Sequence, residues 1–292
     1  MGKILVTGVT GHLGRIVLDK LLGKVPASSV KVLVRDEAKA GPFKQLGVEV
    51  AIGSYDDKSS LVNAFKDVDK LYFISGNDVA KRGPQHENVV GAAVEAKVGH
   101  VVYTSFQRKN ETSTSPIYFV ASTHLLTEDL LKSSGLKYTI LKHAIYTEMI
   151  PIFAGDKIFE TGVIFQPAGD GKSALVLRSD LAEAAVAVLT GEGHENRSYE
   201  LTGPEAVSYA DIAAKISAIT GKNVSYVSPT PEVFAAELAK VGVPSEYIGL
   251  FAGFSVATKE GEFANVSTDL EKLIGRKGGS VGEYLQQVYG GK

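Results

Sequence analysis

Short, continuously apolar runs alternate with longer amphipathic stretches through the first half of the chain. The runs lie at 3–7, 30–34, 48–52, 70–75, 100–105 and 137–142. Runs that are apolar throughout are typical of strands that are covered on both faces of a sheet. They therefore predict six buried strands.

The stretches between these runs have apolar residues three and four positions apart, as at Leu13, Ile16 and Val17. This spacing predicts helices at 12–24, 57–68, 84–99 and 121–135. Strands that alternate with helices and connect by right-handed crossovers form a parallel sheet with helices on both faces. We expect an α/β fold, a Rossmann-type doubly wound parallel sheet, over residues 1–145.

The alternation weakens after residue 145. We predict strands at 199–203 and 223–227, and helices at 208–221 and 231–242. Ser208 is a typical helix cap, and Pro231 is typical of a first helical turn. Residues 146–292 are therefore expected to form a smaller C-terminal α+β lobe, mainly on the substrate side, with the late strand returning to the Rossmann sheet.

Composition narrows the classes of function. The chain has 292 residues, 44% hydrophobic, with a formal net charge of −2 and no cysteine. Disulfides, zinc thiolates and a thiol nucleophile are excluded, and the scattered basic residues do not predict nucleic-acid binding. Without an apolar run of about 18 residues or a signal peptide, we expect a cytoplasmic protein with no membrane partner. The histidines and carboxylates lack metal-ligand spacing, and a homo-oligomer is left open.

A glycine-rich loop, "GVTGHLG", follows the first predicted strand and opens the first predicted helix. A structural turn needs glycines too, but this position favours a dinucleotide site. Gly8 would permit the turn, Gly11 would let a diphosphate approach, and Gly14 would let the helix pack closely. The helix N-terminus attracts the anion, and Thr10 and His12 add donors beside Leu13.

Arg35 occupies the end of the second strand, where NAD-binding units carry an acidic residue. A guanidinium there can pair with a 2′-phosphate and stack on adenine, which favours NADPH. Asp36 follows directly, and its carboxylate would repel the phosphate if it turned inward. An exposed loop cation is the other interpretation of Arg35, so NADH stays open.

Ligands of doubly wound sheets lie beyond the carboxyl ends of the strands. Tyr55 is expected near adenine, and Ser75 and Gly76 near ribose. The next two loops should reach the nicotinamide. The cofactor candidates at these ends are Ser54, Tyr55, Ser75, Gly76, Asn77, Thr104, Ser105, His143, Ala144 and Ile145. A second glycine segment, "GDGKSA" at 169–174, lacks the first glycine of an ATP-binding loop and predicts only a turn.

Several segments together resemble a known family. They are "GVTGHLG", "GSYDD", "LYFIS", "PQHENVV", "VVYTS", "HLLTE" and "YTILKHAIYTE", and the similarity extends through "GHENRSYELTG". They resemble the NmrA-like branch of the atypical short-chain dehydrogenase/reductases, in particular the quinone oxidoreductase 2 and triphenylmethane reductase groups. The resemblance implies a Rossmann domain with a small C-terminal lobe, NADPH as cofactor and a flat substrate in the cleft between them.

The resemblance also implies roles for individual residues. The family's adenosine-phosphate arginine falls on Arg35, and its "HxxTE" residues fall on His124, Thr127 and Glu128. Its nicotinamide-side segment falls on residues 142–146, which adds Lys142 to the cofactor candidates. Relatives often have Arg-Asn where this chain has Lys142 and His143, and "GDY" where it has Gly53, Ser54 and Tyr55.

The Tyr-x-x-x-Lys pair of ordinary short-chain dehydrogenases is missing, because Ser122 stands four residues after Tyr118. Carbonyl reduction by that route is therefore not expected. A quinone becomes a delocalised hydroquinone anion on hydride addition, and a triphenylmethane cation needs no proton. A small planar acceptor such as a quinone is the predicted substrate, with catalysis by proximity and orientation.

His124 is the candidate for shaping the site, by a hydrogen bond to the nicotinamide ribose or to a substrate oxygen. Its alternative is a helix histidine that contacts backbone. Phe106 and Tyr146, with Met149 behind them, are candidates for the substrate wall, or else plain core aromatics. His143 is either a donor to an anionic oxygen or a surface residue.

Three classes of function remain from the sequence. The first is an NADPH-dependent reductase of quinones or similar flat acceptors. The second is a non-catalytic NADP(H)-binding regulator of the NmrA type that senses redox state. A reductase or epimerase for another substrate class is a third.

Overall fold

A seven-stranded parallel sheet lies at the centre of the protein, and the computed structural model describes residues 2–155 and 157–291. The strands of the described chain are Ile4–Val6 (β1), Val30–Val34 (β2), Glu49–Ile52 (β3), Lys70–Phe73 (β4), His100–Phe106 (β5), Lys137–His143 (β6), Val163–Phe165 (β7), Lys172–Ser173 (β8), Arg197–Leu201 (β9), Val207–Ser208 (β10) and Ser225–Val227 (β11). The main sheet has the order β3-β2-β1-β4-β5-β6-β9, and every neighbouring pair in it is parallel.

Helices cover both faces of this sheet. Those of the described chain are His12–Leu22 (α1), Gly41–Lys44 (α2), Lys58–Ala64 (α3), Arg82–Glu95 (α4), Tyr118–Ser133 (α5), Ile150–Ala154 (α6), Ile158–Thr161 (α7), Arg178–Thr190 (α8), Tyr209–Thr220 (α9), Pro231–Lys240 (α10), Ser245–Lys259 (α11), Asp269–Ile274 (α12) and Val281–Tyr289 (α13). On one face α1 and α8 pack together, and α3, α4 and α5 pack on the other. The Rossmann-type doubly wound fold is confirmed.

All six predicted strands of the first half are present, with ends shifted by one or two residues. Except in the half-exposed edge strand β3, most of their side chains are buried because each face of the sheet packs against helices, as the continuous runs indicated. The strand order reverses between β1 and β4. This reversal opens a crevice at the carboxyl ends of the strands, the usual ligand position in such sheets.

The C-terminal lobe has its own apolar core, which includes Ile164, Phe263 and Leu285. The sequence did not predict β7, β8 or β10, each only two or three residues long, nor helices α2, α6, α7, α8, α11, α12 and α13. The late strand is β9, which pairs with β6 at the edge of the main sheet. Segments after residue 145, namely α8, β9 and α12, pack on the main sheet. The chain therefore does not divide cleanly at this residue, and the domain boundary stays a prediction.

Helix ends follow the expected chemistry. Ser208 caps α9 in a reciprocal capping box with Asp211, and Pro231 begins α10. Gly169 has φ +52° and the chain then enters β8, so the "GDGKSA" segment is a turn that leads into a strand. No helix of the described residues is long and apolar enough to cross a membrane.

Candidate active site

A single continuous cleft of about 910 Å³ runs along the carboxyl ends of β1 to β6. Of the predicted site residues, these line it: Gly8, Thr10, Gly11, His12, Leu13, Gly14, Arg35, Ser54, Tyr55, Ser75, Gly76, Asn77, Thr104, Ser105, Phe106, His124, His143, Ala144, Ile145, Tyr146 and Met149. Lys142 is the exception: its side chain does not line the cleft, and its ammonium lies 4.0 Å from Glu111. Side chains of neighbouring residues in a strand point to opposite faces of the sheet. Because the His143 side chain faces the cleft, that of Lys142 points away from it.

The glycine loop makes a tight turn between β1 and α1. Gly8 has φ +64°, a left-handed conformation that side chains strain, and the N–H of Gly11 donates to its carbonyl oxygen at 2.9 Å. A Cβ on Gly14 would lie 2.3 Å from that same oxygen, so only glycine fits there. Gly11 differs, because its Cβ would meet only this oxygen, at 3.3 Å. The fold therefore constrains Gly11 much less than Gly14, and a ligand in the cleft would add to that constraint.

The N-terminus of α1 opens into the cleft without a side-chain cap. Within the described chain no side chain accepts from its first turn, and that turn has no acidic residue. By contrast, Ser208 and Ser280 cap α9 and α13 with capping boxes. Free N–H groups and the positive end of the helix dipole make the start of α1 suitable for a phosphate.

Two cations line the cleft near the end of β2. Neither the Arg35 guanidinium nor the Lys39 ammonium makes an ion pair with any described residue. The Asp36 carboxylate instead accepts a hydrogen bond from the Ala38 N–H at 2.9 Å and does not line the cleft. The Asp36 carboxylate thus does not face the cleft. Asp56 is the carboxylate that lines this part of the cleft, and its charge interacts with that of Arg35.

Tyr55 forms part of the wall between this end and the middle of the cleft. Its hydroxyl donates to the Ile74 carbonyl at 2.8 Å and lies 2.6 Å from Thr7 Oγ1. The Tyr55 hydroxyl therefore joins three loops through its hydrogen bonds. Only the ring of Tyr55 is available to contact a ligand. In the next loop the Ser75 N–H donates to Thr104 Oγ1 at 2.9 Å, which aligns the ends of β4 and β5.

Ser105 and Glu128 belong to a buried ion-pair network. The Ser105 hydroxyl donates to Glu128, and Arg108 Nη1 lies 2.9 Å from the same carboxylate. Burial opposes ionisation of Glu128, but the hydrogen bond and charge of Arg108 outweigh it and hold the carboxyl pKa below its usual value. The Glu128 of the "HxxTE" segment is thus a structural anchor behind β5.

Hydrogen bonds around His86 and His124 define their tautomers. The Gly76 N–H donates to His86 Nε2 at 3.2 Å, so Nδ1 carries the proton and donates to Thr127 Oγ1 at 2.7 Å. The Tyr103 hydroxyl lies 2.7 Å from His124 Nδ1. The phenol is the stronger acid of that pair, so it donates, and His124 keeps its proton on Nε2, on the side that lines the cleft.

Both rings are neutral in this setting. Burial lowers the pKa of His86 to about 3 and places that of His124 well below its usual value, and the charge of Arg82 adds to both shifts. The alternative in which His124 contacts backbone is wrong, since its Nδ1 partner is a phenol. His86 received no role from the sequence and is a structural support of the 75–76 loop.

His143 is 2% exposed, which rules out the surface alternative. Neither ring nitrogen has a hydrogen-bond partner among the described residues, although the ring lines the cleft. Burial lowers its pKa to about 3, so the imidazole is neutral at physiological pH. A buried polar group without a partner is costly, and a ligand in the cleft is the available source of one.

Apolar side chains form the far end of the cleft. The Phe106 ring stacks on His124 with centroids 6.0 Å apart, and Phe254 packs edge-on against Phe106 at 5.9 Å. The Tyr146 ring carries the Arg178 guanidinium at 4.3 Å. Lining residues that received no site role from the sequence include Lys39, Asp56, Asp78, Arg82, Gln85, Val120, Phe153, Arg178, Leu250, Phe251 and Phe254. Four of them, Arg178, Leu250, Phe251 and Phe254, come from α8 and α11, which the sequence did not predict.

The described residues contain no group of three or more His, Asp or Glu side chains that could hold a metal ion.

The chain matches the model of the NmrA-like family over residues 1–285. It is 36% identical to quinone oxidoreductase 2 of Escherichia coli (strain K12), with 98% of each chain covered. It is 30% identical to the NAD(P)H azoreductase of Xenophilus azovorans, with 97% of this chain and 96% of that one covered.

Solved structures agree with these matches. The Escherichia coli NADPH-dependent quinone oxidoreductase complexed with NADPH superposes with a TM-score of 0.92 at 37% identity. The triphenylmethane reductase of Citrobacter sp. complexed with NADP(H) gives 0.90 at 38% identity. In both cases 98% of this chain and 99% of the other are covered. The chain belongs to the NmrA-like family.

Proposed function

We propose that the protein is an NADPH-dependent oxidoreductase that transfers hydride to a quinone or a similar flat electrophilic acceptor. The observation that carries the proposal is that the two ends of one cleft differ in chemistry. Free N–H groups and unpaired cations stand at its β1–β2 end, and aromatic rings stand at its β5–β6 end. Four strand intervals separate β2 from β6, about 19 Å, which suits an extended dinucleotide with an acceptor beyond it.

The residues fit NADPH at each point along this cleft. Arg35 and Lys39 would hold the 2′-phosphate, and the N-terminus of α1 would hold the diphosphate, where Gly11 leaves room. Ala144 and Ile145 at the end of β6 would flank the nicotinamide. The cofactor supplies a hydride at that end. Relatives with NADPH or NADP(H) in their structures support this assignment.

His124 and the aromatic residues would orient the acceptor. The Nε2–H of His124 is a neutral donor that the Tyr103 hydroxyl holds in place. Phe106, Phe254 and Tyr146 offer flat surfaces against which a planar ring can stack. Holding two reactants face to face in this way can supply roughly 7–11 kcal/mol of the barrier, without a Tyr-x-x-x-Lys pair.

The open aromatic end favours an enzyme over a non-catalytic regulator, because a redox sensor needs no space beside the nicotinamide. Absorbance at 340 nm tests this directly, with NADPH and a panel of quinones and cationic dyes. We expect NADPH oxidation with at least one flat acceptor, and its loss in Gly11→Asp, which places a carboxylate against the diphosphate. Tight NADPH binding with no turnover across the panel would instead identify a regulator.

A further inference from the structure

Arg82 is a buried cation that no acidic side chain neutralises. The residue is 5% exposed, its Nη2 donates to the Val120 carbonyl at 2.8 Å, and its Nε has no partner. Across the described residues, no carboxylate lies within 4.0 Å of its guanidinium nitrogens. Burial lowers its pKa, but an arginine stays charged at neutral pH. Such a charge is expensive to keep out of water.

The other buried arginine of the fold is treated differently. Arg108 has a fully buried side chain, and its guanidinium lies 2.9 Å from Glu128 and 2.9 Å from Glu111. At the cleft, Arg178 lies 3.6 Å from Glu148. Both Arg108 and Arg178 thus have a carboxylate beside them. The lack of a carboxylate at the buried Arg82 calls for a different explanation.

The groups around Arg82 offer no negative charge. His86 and His124, on α4 and α5, are neutral because burial and Arg82 itself lower their pKa values. Burial also raises the pKa of Tyr103, so its phenol stays protonated. Arg82 lines the cleft together with Val120 and His124. A counter-ion therefore has to arrive through the cleft.

We propose that Arg82 binds the acceptor oxygen that becomes negative on hydride transfer. This inference rests on the proposed function and names the class of acceptor: a neutral carbonyl compound such as a quinone. The acceptor gains a hydride, that is two electrons and one proton, while NADPH is oxidised to NADP⁺. One oxygen is then a phenolate, which Arg82 holds until water protonates it.

This placement gives Arg82 the charge-stabilising part that Tyr-x-x-x-Lys has in ordinary short-chain dehydrogenases. Groups aimed at a developing charge inside a water-poor site stabilise the transition state more than the substrate. The charge of Arg82 also makes the site select neutral acceptors over cationic ones. A cationic triphenylmethane dye becomes neutral on hydride addition, so the same guanidinium repels it before the reaction and gains nothing afterwards.

The anion could also be a phosphate of the cofactor, and the experiment separates the two sources. Arg82→Gln and Arg82→Lys are compared with Arg197→Gln, whose guanidinium likewise donates to a backbone carbonyl, that of Gly193, but is exposed. We measure the Kd of NADP⁺ and kcat/KM for 1,4-benzoquinone and for crystal violet. For Arg82→Gln we expect a fall of about 100-fold with the quinone. The Kd of NADP⁺ should not rise in parallel, the rate with the dye should not fall in parallel, and Arg82→Lys should restore part of the rate with the quinone.

Two results would overturn the proposal. Weakening of NADP⁺ binding by the same factor would assign Arg82 to the cofactor, and equal losses with quinone and dye would make it structural. If Arg82→Gln fails to fold, the Lys variant carries the same comparison, because its shorter side chain keeps the charge but loses the position.

A binding measurement keeps this inference separate from the proposed function. The NADP⁺-loaded protein is titrated with 2,4-dinitrophenolate, a flat phenolate, and with 1,3-dinitrobenzene, its uncharged analogue. Wild type should prefer the phenolate, and Arg82→Gln should lose about tenfold of that preference. If wild type turned over no acceptor yet showed this preference, the proposed function would fail and the anion site would stand. Absence of any preference in an active wild type would reject the anion site alone.

Discussion

The Tyr103 hydroxyl oxygen lies 2.7 Å from Nδ1 of His124, and this one contact decides which nitrogen of the imidazole faces the cleft with a proton. Tyr103 is fully buried on β5 and cannot turn to solvent. His124 comes from α5, one turn before Glu128, which is itself held by Arg108. The position of the donor is therefore set by groups that do not touch the ligand.

Tyr103→Phe should lower the rate of quinone reduction about tenfold while the Kd of NADPH stays within twofold. The variant removes the phenol that holds His124 as the Nε2–H tautomer, so the donor is present only part of the time. It also leaves Nδ1 unpaired, at a cost of about 1–3 kcal/mol in unfolding free energy. Kinetics at 340 nm and urea unfolding check the two effects, and an unchanged kcat would remove His124 from the reaction.

Arg35→Ala should weaken NADPH binding by about 10- to 100-fold and leave NADH binding nearly unchanged. The guanidinium has no ion-pair partner in the described fold, so a charge-assisted bond to the 2′-phosphate is its main loss, about 1.5–3 kcal/mol. Fluorescence titration with each nucleotide measures this. Lys44→Ala is the matched control, because that exposed cation already pairs with Glu37. Equal losses for both nucleotides would contradict the assignment.

Two alanine substitutions in the glycine loop should separate folding from binding. In Gly14→Ala the new Cβ would stand 2.3 Å from the Gly8 oxygen, so the turn must shift, at about 1–3 kcal/mol of unfolding free energy. In Gly11→Ala the nearest atom is 3.3 Å away, so stability should change little while NADPH binding weakens. Thermal unfolding and nucleotide titration distinguish them. Equal destabilisation by both variants would mean that Gly11, too, serves only the turn.

The sequence predicts the sheet well because its strands carry their signal locally. The strands β1, β2, β4 and β5 are buried over nearly their whole length between the two helix layers, whereas the edge strand β3 is half-exposed. Helix α8 lacks a comparable signal, since it is buried on nearly every side and so has no polar face to reveal its period. Helix α11 is apolar with glycines at 249 and 253, which lower any helix prediction.

The residues of the candidate site likewise fall into those that a local motif predicts and those that only tertiary packing places. The glycine loop and Arg35 are readable because a local motif places them. Phe251, Phe254 and Arg178 are not, because they enter the cleft from α8 and α11 by tertiary packing alone. The unpaired charge of Arg82 is visible only when every neighbour is known, although the residue stands two positions before the "PQHENVV" segment.

Neutral buried histidines should make the protein sensitive to acid. Burial lowers the folded-state pKa of His143 to about 3, against about 6.5 in the unfolded chain. Between these values the unfolded state binds the proton and the folded state does not, so stability rises with pH. The contribution is fully present above pH 6.5 and is lost as the pH falls towards 3.

His143→Asn should therefore flatten the pH dependence of the unfolding free energy by up to about 1.4 kcal/mol per pH unit between pH 4 and 6. Asparagine does not titrate, so the variant loses less stability on acidification than wild type does. Urea unfolding at several pH values gives the slopes. His12→Asn, at an exposed position, controls for the exchange of a histidine for an asparagine as such. Parallel slopes for wild type and His143→Asn would mean that the buried imidazole is already protonated in the fold, which the lack of any acceptor for its N–H groups argues against.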